Sequence, residues 1–122
     1  MATTEITAEN LEATIKDNTI VLLDFWAGWC PPCLAFSPIF ERSSNKNRDV
    51  AFGKVNTEAQ QALAASFRIV SIPTLVAFRE GVMVFSQPGM LSPAKLDTLL
   101  NAIRDLDMDE VRATVTQEAA SQ

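Results

Sequence analysis

The sequence predicts an α/β fold in which helices cover both faces of a central mixed sheet of four to five strands. Three apolar runs of strand length, at residues 20–27, 50–56 and 74–78, are separated by segments with helical periodicity. Strands that alternate with helices in this way form parallel pairs. A short turn at residues 79–81 then leads into a strand that pairs back, which makes the sheet mixed.

The bulk composition predicts one domain and excludes several classes of partner. The 122 residues suit one compact domain with its own hydrophobic core. The net charge of −5, without a basic stretch, argues against binding to nucleic acid or to an anionic membrane. No apolar run approaches the about 20 residues of a membrane helix, and the N-terminus lacks a signal-peptide pattern. We therefore expect a soluble, cytoplasmic protein.

The first helix is predicted to begin at Thr7, a typical capping residue, and to end near residue 17. Leu11 and Ile15 recur at helical spacing along its inner face. Residues 4–6, which precede this helix, allow an edge strand.

Residues 20–27 are predicted as a strand that is buried on both faces, because the run is apolar except for Asp24. The carboxylate is either a solvated group at a strand end or a partly buried acid. Side chains two apart share a face, which places Asp24 beside Leu22 and Trp26. We favour the buried position, and a buried acid is unusual enough to suggest a function.

Residues 30–47 are predicted as a long helix, with Pro38 kinking it and with Leu34, Ile39 and Phe40 along its apolar face. Residues 50–56 form the next core strand, and within it Lys54 reads as an exposed cation near a strand end. Residues 58–66 follow as a short helix.

The inner face of this short helix is predicted from its apolar spacing, and it consists of Ala62, Leu63 and Phe67. Loops are expected at residues 69–73 and 87–90, on either side of the predicted hairpin.

The last predicted helix begins at Ser92–Pro93, because proline is favoured at the first helical position. Leucine and isoleucine recur along one face of it up to Leu106, after which the apolar pattern thins. We expect the domain to span residues 1–106. Residues 107–122 would form a C-terminal extension that is either helical or disordered.

Cys30 and Cys33, the two cysteines of the chain, lie where a predicted buried strand leads into a helix. The partial positive charge of a helix N-terminus stabilises a thiolate. Cys30 is the better placed nucleophile and should be the more exposed thiol. It would attack a substrate disulfide, and Cys33 would resolve the mixed disulfide. Asp24 is the candidate acceptor for the Cys33 proton.

The same two cysteines also allow a metal-binding interpretation. A zinc site needs four ligands, whereas the chain offers two thiols and no histidine. Only a zinc or iron–sulfur site shared between two chains remains open, and we expect no metal.

Several motifs in this order resemble those of the thioredoxin family, over about residues 4–106. The motifs are LDFWAGWCPPC at residues 23–33, Pro38, FGKVN at 52–56, SIPT at 71–74, FREG at 78–81 and PGMLS at 88–92. The resemblance implies a thioredoxin fold and a protein-disulfide reductase that acts as a monomer. It further implies client proteins with disulfides, recharging by an NADPH-dependent flavoprotein reductase, and no cofactor beyond the Cys30–Cys33 disulfide.

The resemblance also implies roles for individual residues. Lys54 would lie near Asp24 and modulate its charge, which replaces the interpretation of Lys54 as an exposed cation. Pro73 would be cis and would pack against the disulfide. A groove for an extended client peptide would be lined by Trp29, Pro31, Pro32, Ile72, Pro73, Gly89 and Met90.

Two positions depart from the family pattern. Pro31 stands where glycine is usual, and Leu34 stands where a basic residue is usual. Pro31 stiffens the loop and removes a backbone N–H, and Leu34 removes a cation that favours thiolate. The reduction potential is therefore open, and so are two alternative functions: a thiol oxidase or isomerase, and an interaction module without redox turnover.

Overall fold

The structure, a computed structural model, describes the backbone of residues 2–120 and the side chains of residues 2–116. Its strands, in chain order, are β1 (Thr3–Glu5), β2 (Ile20–Trp26), β3 (Val50–Asn56), β4 (Thr74–Arg79) and β5 (Val82–Pro88). Its helices are α1 (Leu11–Asp17), α2 (Pro31–Lys46), α3 (Gln61–Ser66), α4 (Pro93–Arg104) and α5 (Met108–Ala120). No helix in this part of the chain is long and apolar enough to cross a membrane.

The strands form one five-stranded sheet in the order β1-β3-β2-β4-β5. β3 pairs in parallel with both β1 and β2, whereas β4 pairs antiparallel with β2 and β5. The predicted mixed sheet is therefore confirmed, and it includes the short edge strand that the sequence allowed before the first helix.

Helices cover both faces of the sheet, as the sequence predicted. On one face, Leu22 of β2 packs in a cluster with Phe36 and Phe40 of α2 and with residues of α4. On the other face, Leu23 belongs to a second cluster that includes Ala64 of α3. Because alternate residues of β2 enter opposite clusters, this central strand is buried on both faces.

α2 differs from its prediction in which residues face the core. Leu34 is 52% exposed, whereas Cys33, Phe36 and Phe40 are buried. Cys33, Phe36 and Phe40 are three and four residues apart and therefore share the buried face of the helix, whereas Leu34, one residue after Cys33, lies outside that face. The prediction that Leu34 belongs to the apolar stripe was therefore wrong.

Two other helices begin later than predicted. Thr7–Asn10 is a turn, in which Asn10 Oδ1 accepts a hydrogen bond from the Thr7 N–H at 2.8 Å, and α1 starts after it. α3 begins at Gln61 and buries Ala64 rather than Ala62, which is exposed. Local polar side chains compete with the helix in these turns.

β5 ends at Pro88, so it includes the first two residues of the loop that was predicted at residues 87–90. Pro88 is its last residue and pairs with Thr74. Proline lacks an N–H, which is tolerated at the end of an edge strand because no further strand needs that donor.

The C-terminal part begins as the sequence predicted. The Ser92 hydroxyl caps α4 by accepting a hydrogen bond from the Lys95 N–H at 3.2 Å. Beyond it, α5 buries Met108, and Arg112 forms an ion pair with Glu80 in the hairpin turn. The extension is thus helical through residue 120, and the domain boundary at residue 106 stays a prediction.

Gly53 of β3 lies where neighbouring side chains leave no room for a Cβ. A Cβ added there would clash with Ile6 Cγ1 and would lie 2.9 Å from Leu23 Cδ2. Both neighbours are fully buried. We expect Gly53→Ala to lower the free energy of unfolding by about 1–3 kcal/mol, because a packed core yields poorly to added volume. Urea denaturation measures this loss.

Gly28→Ala is the matched control for Gly53→Ala. A Cβ at Gly28 would meet no atom within 4 Å. The same substitution there should change the unfolding midpoint little. An equal loss in both variants would show that close packing at Gly53 is not the cause.

Candidate active site

Cys30 caps the N-terminus of α2, at the junction where β2 leads into the helix. Its backbone is extended, with φ −97° and ψ 107°, and its Sγ accepts a hydrogen bond from the Cys33 N–H at 3.2 Å. Pro31 occupies the first helical position, where its missing N–H leaves no helical hydrogen bond unmade. The Cys30 sulfur therefore lies at the positive end of the helix dipole, as the sequence predicted.

Cys30 and Cys33 form a disulfide, with their Cα atoms 5.3 Å apart. The expected difference in exposure is not seen, because Cys30 is 2% and Cys33 is 1% exposed. The two cysteines pack in a cluster with Ala27, against which Trp26 and Ile72 also pack. The cysteines differ instead in what they face: Cys30 lines a surface groove, whereas Cys33 is not among the residues that line it.

The loop before β4 lies opposite the disulfide. The Ile72–Pro73 peptide bond is cis, as the family resemblance implied. The Ile72 carbonyl oxygen lies 3.7 Å from Cys30 Sγ, and Pro73 is buried. In the dithiol form, the Cys30 thiol can donate a hydrogen bond to this carbonyl.

The groove in front of Cys30 has a volume of about 480 Å³. Four of the predicted groove residues, Trp29, Pro31, Pro32 and Ile72, line it. Its lining also includes residues that the sequence reasoning missed, namely Thr57, Ala64, Ile69, Val70 and Ser71. A signal for Val70 was present, since it is an apolar residue in a loop next to the SIPT motif, and it is 95% exposed.

Trp29 forms one wall of the groove and is 66% exposed. Its indole N–H donates a hydrogen bond to Glu58 Oε1 at 2.6 Å. Glu58 therefore fixes the orientation of the ring, and no sequence pattern indicated this partner, which lies 29 residues away.

Three residues that were predicted to line the groove, Pro73, Gly89 and Met90, are not part of its lining. The Gly89 N–H donates a hydrogen bond to the Pro73 carbonyl at 2.7 Å, which ties this loop to the cis-proline loop. Gly89 has φ 100°, a conformation that favours glycine. Met90 is 41% exposed beside it.

Asp24 is fully buried in β2, as the sequence reasoning favoured. Neither of its carboxyl oxygens has a hydrogen-bond partner among the described residues. Burial raises the pKa of this carboxyl from 3.8 to about 7, and the positive charge of Lys54 offsets part of that rise. An acid with such a pKa can take up and release a proton near neutral pH.

Lys54 lies opposite Asp24 in the parallel pairing of β2 and β3. Its Nζ donates a hydrogen bond to Ser37 Oγ at 2.9 Å and lies 4.6 Å from the centre of the Trp26 ring. The side chain is thus held against α2, and the interpretation of Lys54 as an exposed strand-end cation was wrong.

This geometry can support thiol–disulfide exchange. A nucleophilic sulfur faces a groove, a second sulfur lies one helical turn behind it, and a titratable acid is buried in the adjoining strand. Among the side chains of residues 2–116, no three of His, Cys, Asp or Glu cluster in a way that could hold a metal ion.

Comparison with known proteins gives one consistent family. The model of the thioredoxin family matches residues 2–118. The chain is 51% identical to the thioredoxin 2 candidate of Streptomyces coelicolor, over 98% of this chain and 89% of that protein. It is 36% identical to thioredoxin of Mycoplasma pneumoniae, over 76% of this chain and 91% of that protein.

Solved structures agree with the sequence relatives. A mutant thioredoxin from Halobacterium salinarum superimposes with a TM-score of 0.80 at 30% identity, over 85% of this chain and 92% of that one. Together with the paired cysteines at the strand–helix junction, these matches show that the chain belongs to the thioredoxin family and is a thiol–disulfide oxidoreductase.

Proposed function

We propose that this protein is a general cytoplasmic reductase of protein disulfides, which acts as a monomer and is recharged by an NADPH-dependent flavoprotein reductase. The observation that carries the proposal is the position of Cys30, which caps α2 through its sulfur and is also one of the residues that line the groove. The Cys30–Cys33 pair itself carries the electrons, so the proposal needs no bound cofactor.

The exchange proceeds in two displacements. The Cys30 thiolate attacks one sulfur of a client disulfide, a Cys30–client bond forms, and the other client sulfur leaves as a thiolate and takes up a proton. Cys33 then attacks Cys30 Sγ, which forms the Cys30–Cys33 disulfide and releases the second client thiolate. Two electrons pass to the client, and the flavoprotein reductase returns them to the protein.

Asp24 serves as the acid and base for the second displacement. Cys33 must lose its proton before it attacks, and a carboxyl with a pKa of about 7 accepts one at neutral pH. The positive charge of Lys54 keeps this pKa from rising further.

The groove holds the client as an extended peptide. Trp29, Pro31, Pro32 and Ile72 supply an apolar surface around Cys30. The Gly89 N–H donates a hydrogen bond to the carbonyl of Pro73, which ties the loop at Gly89–Met90 to the residue that follows Ile72. Backbone groups near Ile72 would pair with the client in the manner of an added strand.

The activity is tested by reduction of insulin disulfides, with NADPH and a thioredoxin-type flavoprotein reductase as the electron source. We expect turnover by the natural protein and none by Cys30→Ser, since the attacking sulfur is lost. Cys33→Ser should accumulate a mixed disulfide with the client, which non-reducing electrophoresis and mass spectrometry detect. Full activity of Cys30→Ser would contradict the proposal.

The direction of electron flow is tested by equilibration with glutathione. A reductase requires a Cys30–Cys33 potential below that of the glutathione pool. We expect this result, with the dithiol and disulfide fractions quantified by alkylation at each glutathione ratio. A potential above the pool would instead favour the thiol oxidase or isomerase, which Pro31 and the uncharged Leu34 leave open.

The raised pKa of Asp24 also predicts how stability depends on pH. Between pH 3.8 and about 7, the folded state keeps a proton that the unfolded state has lost. The free energy of unfolding therefore falls as pH rises through this window. Asp24→Asn lacks the ionisation. The difference in free energy of unfolding between Asp24→Asn and the natural protein should therefore shift in favour of the variant as pH rises from 3.8 to about 7. The expected shift is roughly 4 kcal/mol, at about 1.4 kcal/mol per pKa unit.

Urea denaturation of both oxidised proteins at a series of pH values gives this difference directly. Only the change of this difference with pH tests the prediction. Its value at any single pH also contains the free-energy cost of burying the asparagine amide, which does not depend on pH. Parallel stability curves across pH 4–8 would show that Asp24 titrates at its ordinary pKa of 3.8.

A further inference from the structure

Three charged side chains form a row across the β1 edge of the sheet. Glu5 of β1, Lys54 of β3 and Asp24 of β2 occupy the same register position in the two parallel pairings. Residues in register on parallel strands project from the same face. Lys54 therefore stands between a buried carboxyl on one side and an exposed carboxylate on the other.

The Lys54 ammonium has room to move toward Glu5. A cavity of about 280 Å³ opens at the sheet edge and is lined by Glu5, Asn56, Trp26 and Lys54, together with Thr3 and Thr4. Among the described residues, no carboxylate lies within 4.0 Å of Lys54 Nζ. An ion pair therefore does not determine the position of this charge.

The ammonium lies 4.6 Å from the centre of the Trp26 ring and is also held by Ser37. The Ser37 hydroxyl oxygen accepts from Lys54 Nζ at 2.9 Å, which is the only side-chain hydrogen bond that Lys54 makes within the described part of the chain. Ser37 lies four residues after Cys33 on α2, so both project from one face of that helix. The helix that carries the redox cysteines thus also holds the ammonium.

We propose that Ser37 is a positioning residue, which holds the Lys54 ammonium on the α2 side of the row, close to Asp24 and away from Glu5. The proposal deepens the acid–base role that the proposed function gives to Asp24. Lys54 stabilises the Asp24 carboxylate only while it stays near it, because a charge acts strongly on a carboxyl over roughly 4–6 Å.

The groups around the row decide the direction of the expected effect. β1 contributes Glu5, and α2 contributes Cys33 and Glu41, the latter accepting a hydrogen bond from Thr3. β4 places the apolar Leu75 opposite Asp24. Asp24 and Glu5 are both in register with Lys54, but only Glu5 lies at the exposed edge of the sheet, so an ammonium released by Ser37 is drawn toward that edge.

The test is the pKa of Asp24 in Ser37→Ala, measured in the oxidised protein from the pH dependence of its side-chain carboxyl ¹³C shift. We expect the pKa to rise above that of the natural protein by about half a pH unit or more, since the stabilising cation moves away. An unchanged or lowered pKa would overturn the proposal. A purely structural role for Ser37 would alter the unfolding midpoint without this change.

Ser43→Ala is the matched control, because it makes the same substitution in the same helix. The Ser43 hydroxyl accepts from the Asn47 side chain at 3.2 Å and has no bond to Lys54. This variant should leave the pKa of Asp24 as it is in the natural protein. An equal rise in both serine variants would assign the effect to α2 in general and count against Ser37.

A double-mutant cycle shows whether Ser37 acts through Lys54. In a Lys54→Met background, which has no ammonium to position, Ser37→Ala should leave the Asp24 pKa unchanged. A rise in that background would overturn the proposal, since Ser37 would then act on Asp24 by another route.

Glu5→Gln tests the other side of the row. It should lower the Asp24 pKa more in the Ser37→Ala background than alone, because only there does Glu5 hold the ammonium. Equal effects in the two backgrounds would contradict the proposal. None of these titrations requires turnover, so failure of the insulin assay and failure of this proposal are distinguishable.

Discussion

The burial of the Asp24 carboxyl in the central strand is the constraint on which the site depends. β2 is packed on both faces, which leaves Asp24 without solvent and without a hydrogen-bond partner among the described residues. Burying a carboxylate in this way is costly, and a charged neighbour or protonation must offset the cost. Lys54, which pairs with Asp24 across β2 and β3, is that charged neighbour. A chain selected for stability alone would place an apolar residue there.

The sheet topology then brings the separate parts of the site together. β2 and β3 run parallel, so their carboxyl ends lie at the same end of the sheet. The N-terminus of α2 follows directly from β2 at that end. β4 runs antiparallel to β2, so its first residue and the cis Ile72–Pro73 bond before it lie at this same end of the sheet. Parallel and antiparallel pairing are therefore both needed to face Cys30 with Ile72.

Local patterns sufficed for the strands and failed where the answer depended on neighbours distant in sequence. The apolar runs located β2, β3 and β4, and period-two spacing indicated that Asp24 is buried. The placement of Leu34 failed because two adjacent helical positions looked equally apolar, and only the packing of Cys33 decided between them. Glu58 and Ser37 could not be found from the sequence, since each acquires its role from a partner on another element. The site roles came from the family resemblance more than from spacing.

α2 connects the two sides of the proposed chemistry through its own periodicity. Cys30, Cys33 and Ser37 are spaced three and four apart, which places them along one face of the helix. Cys30 meets the groove, Cys33 lies one turn behind it, and Ser37 holds Lys54. Any movement of this helix that opens the disulfide to a client therefore also moves the anchor of the charge that governs Asp24. In the proposed mechanism, α2 therefore links the attack by Cys30 to the deprotonation of Cys33, because one helix carries both cysteines and Ser37.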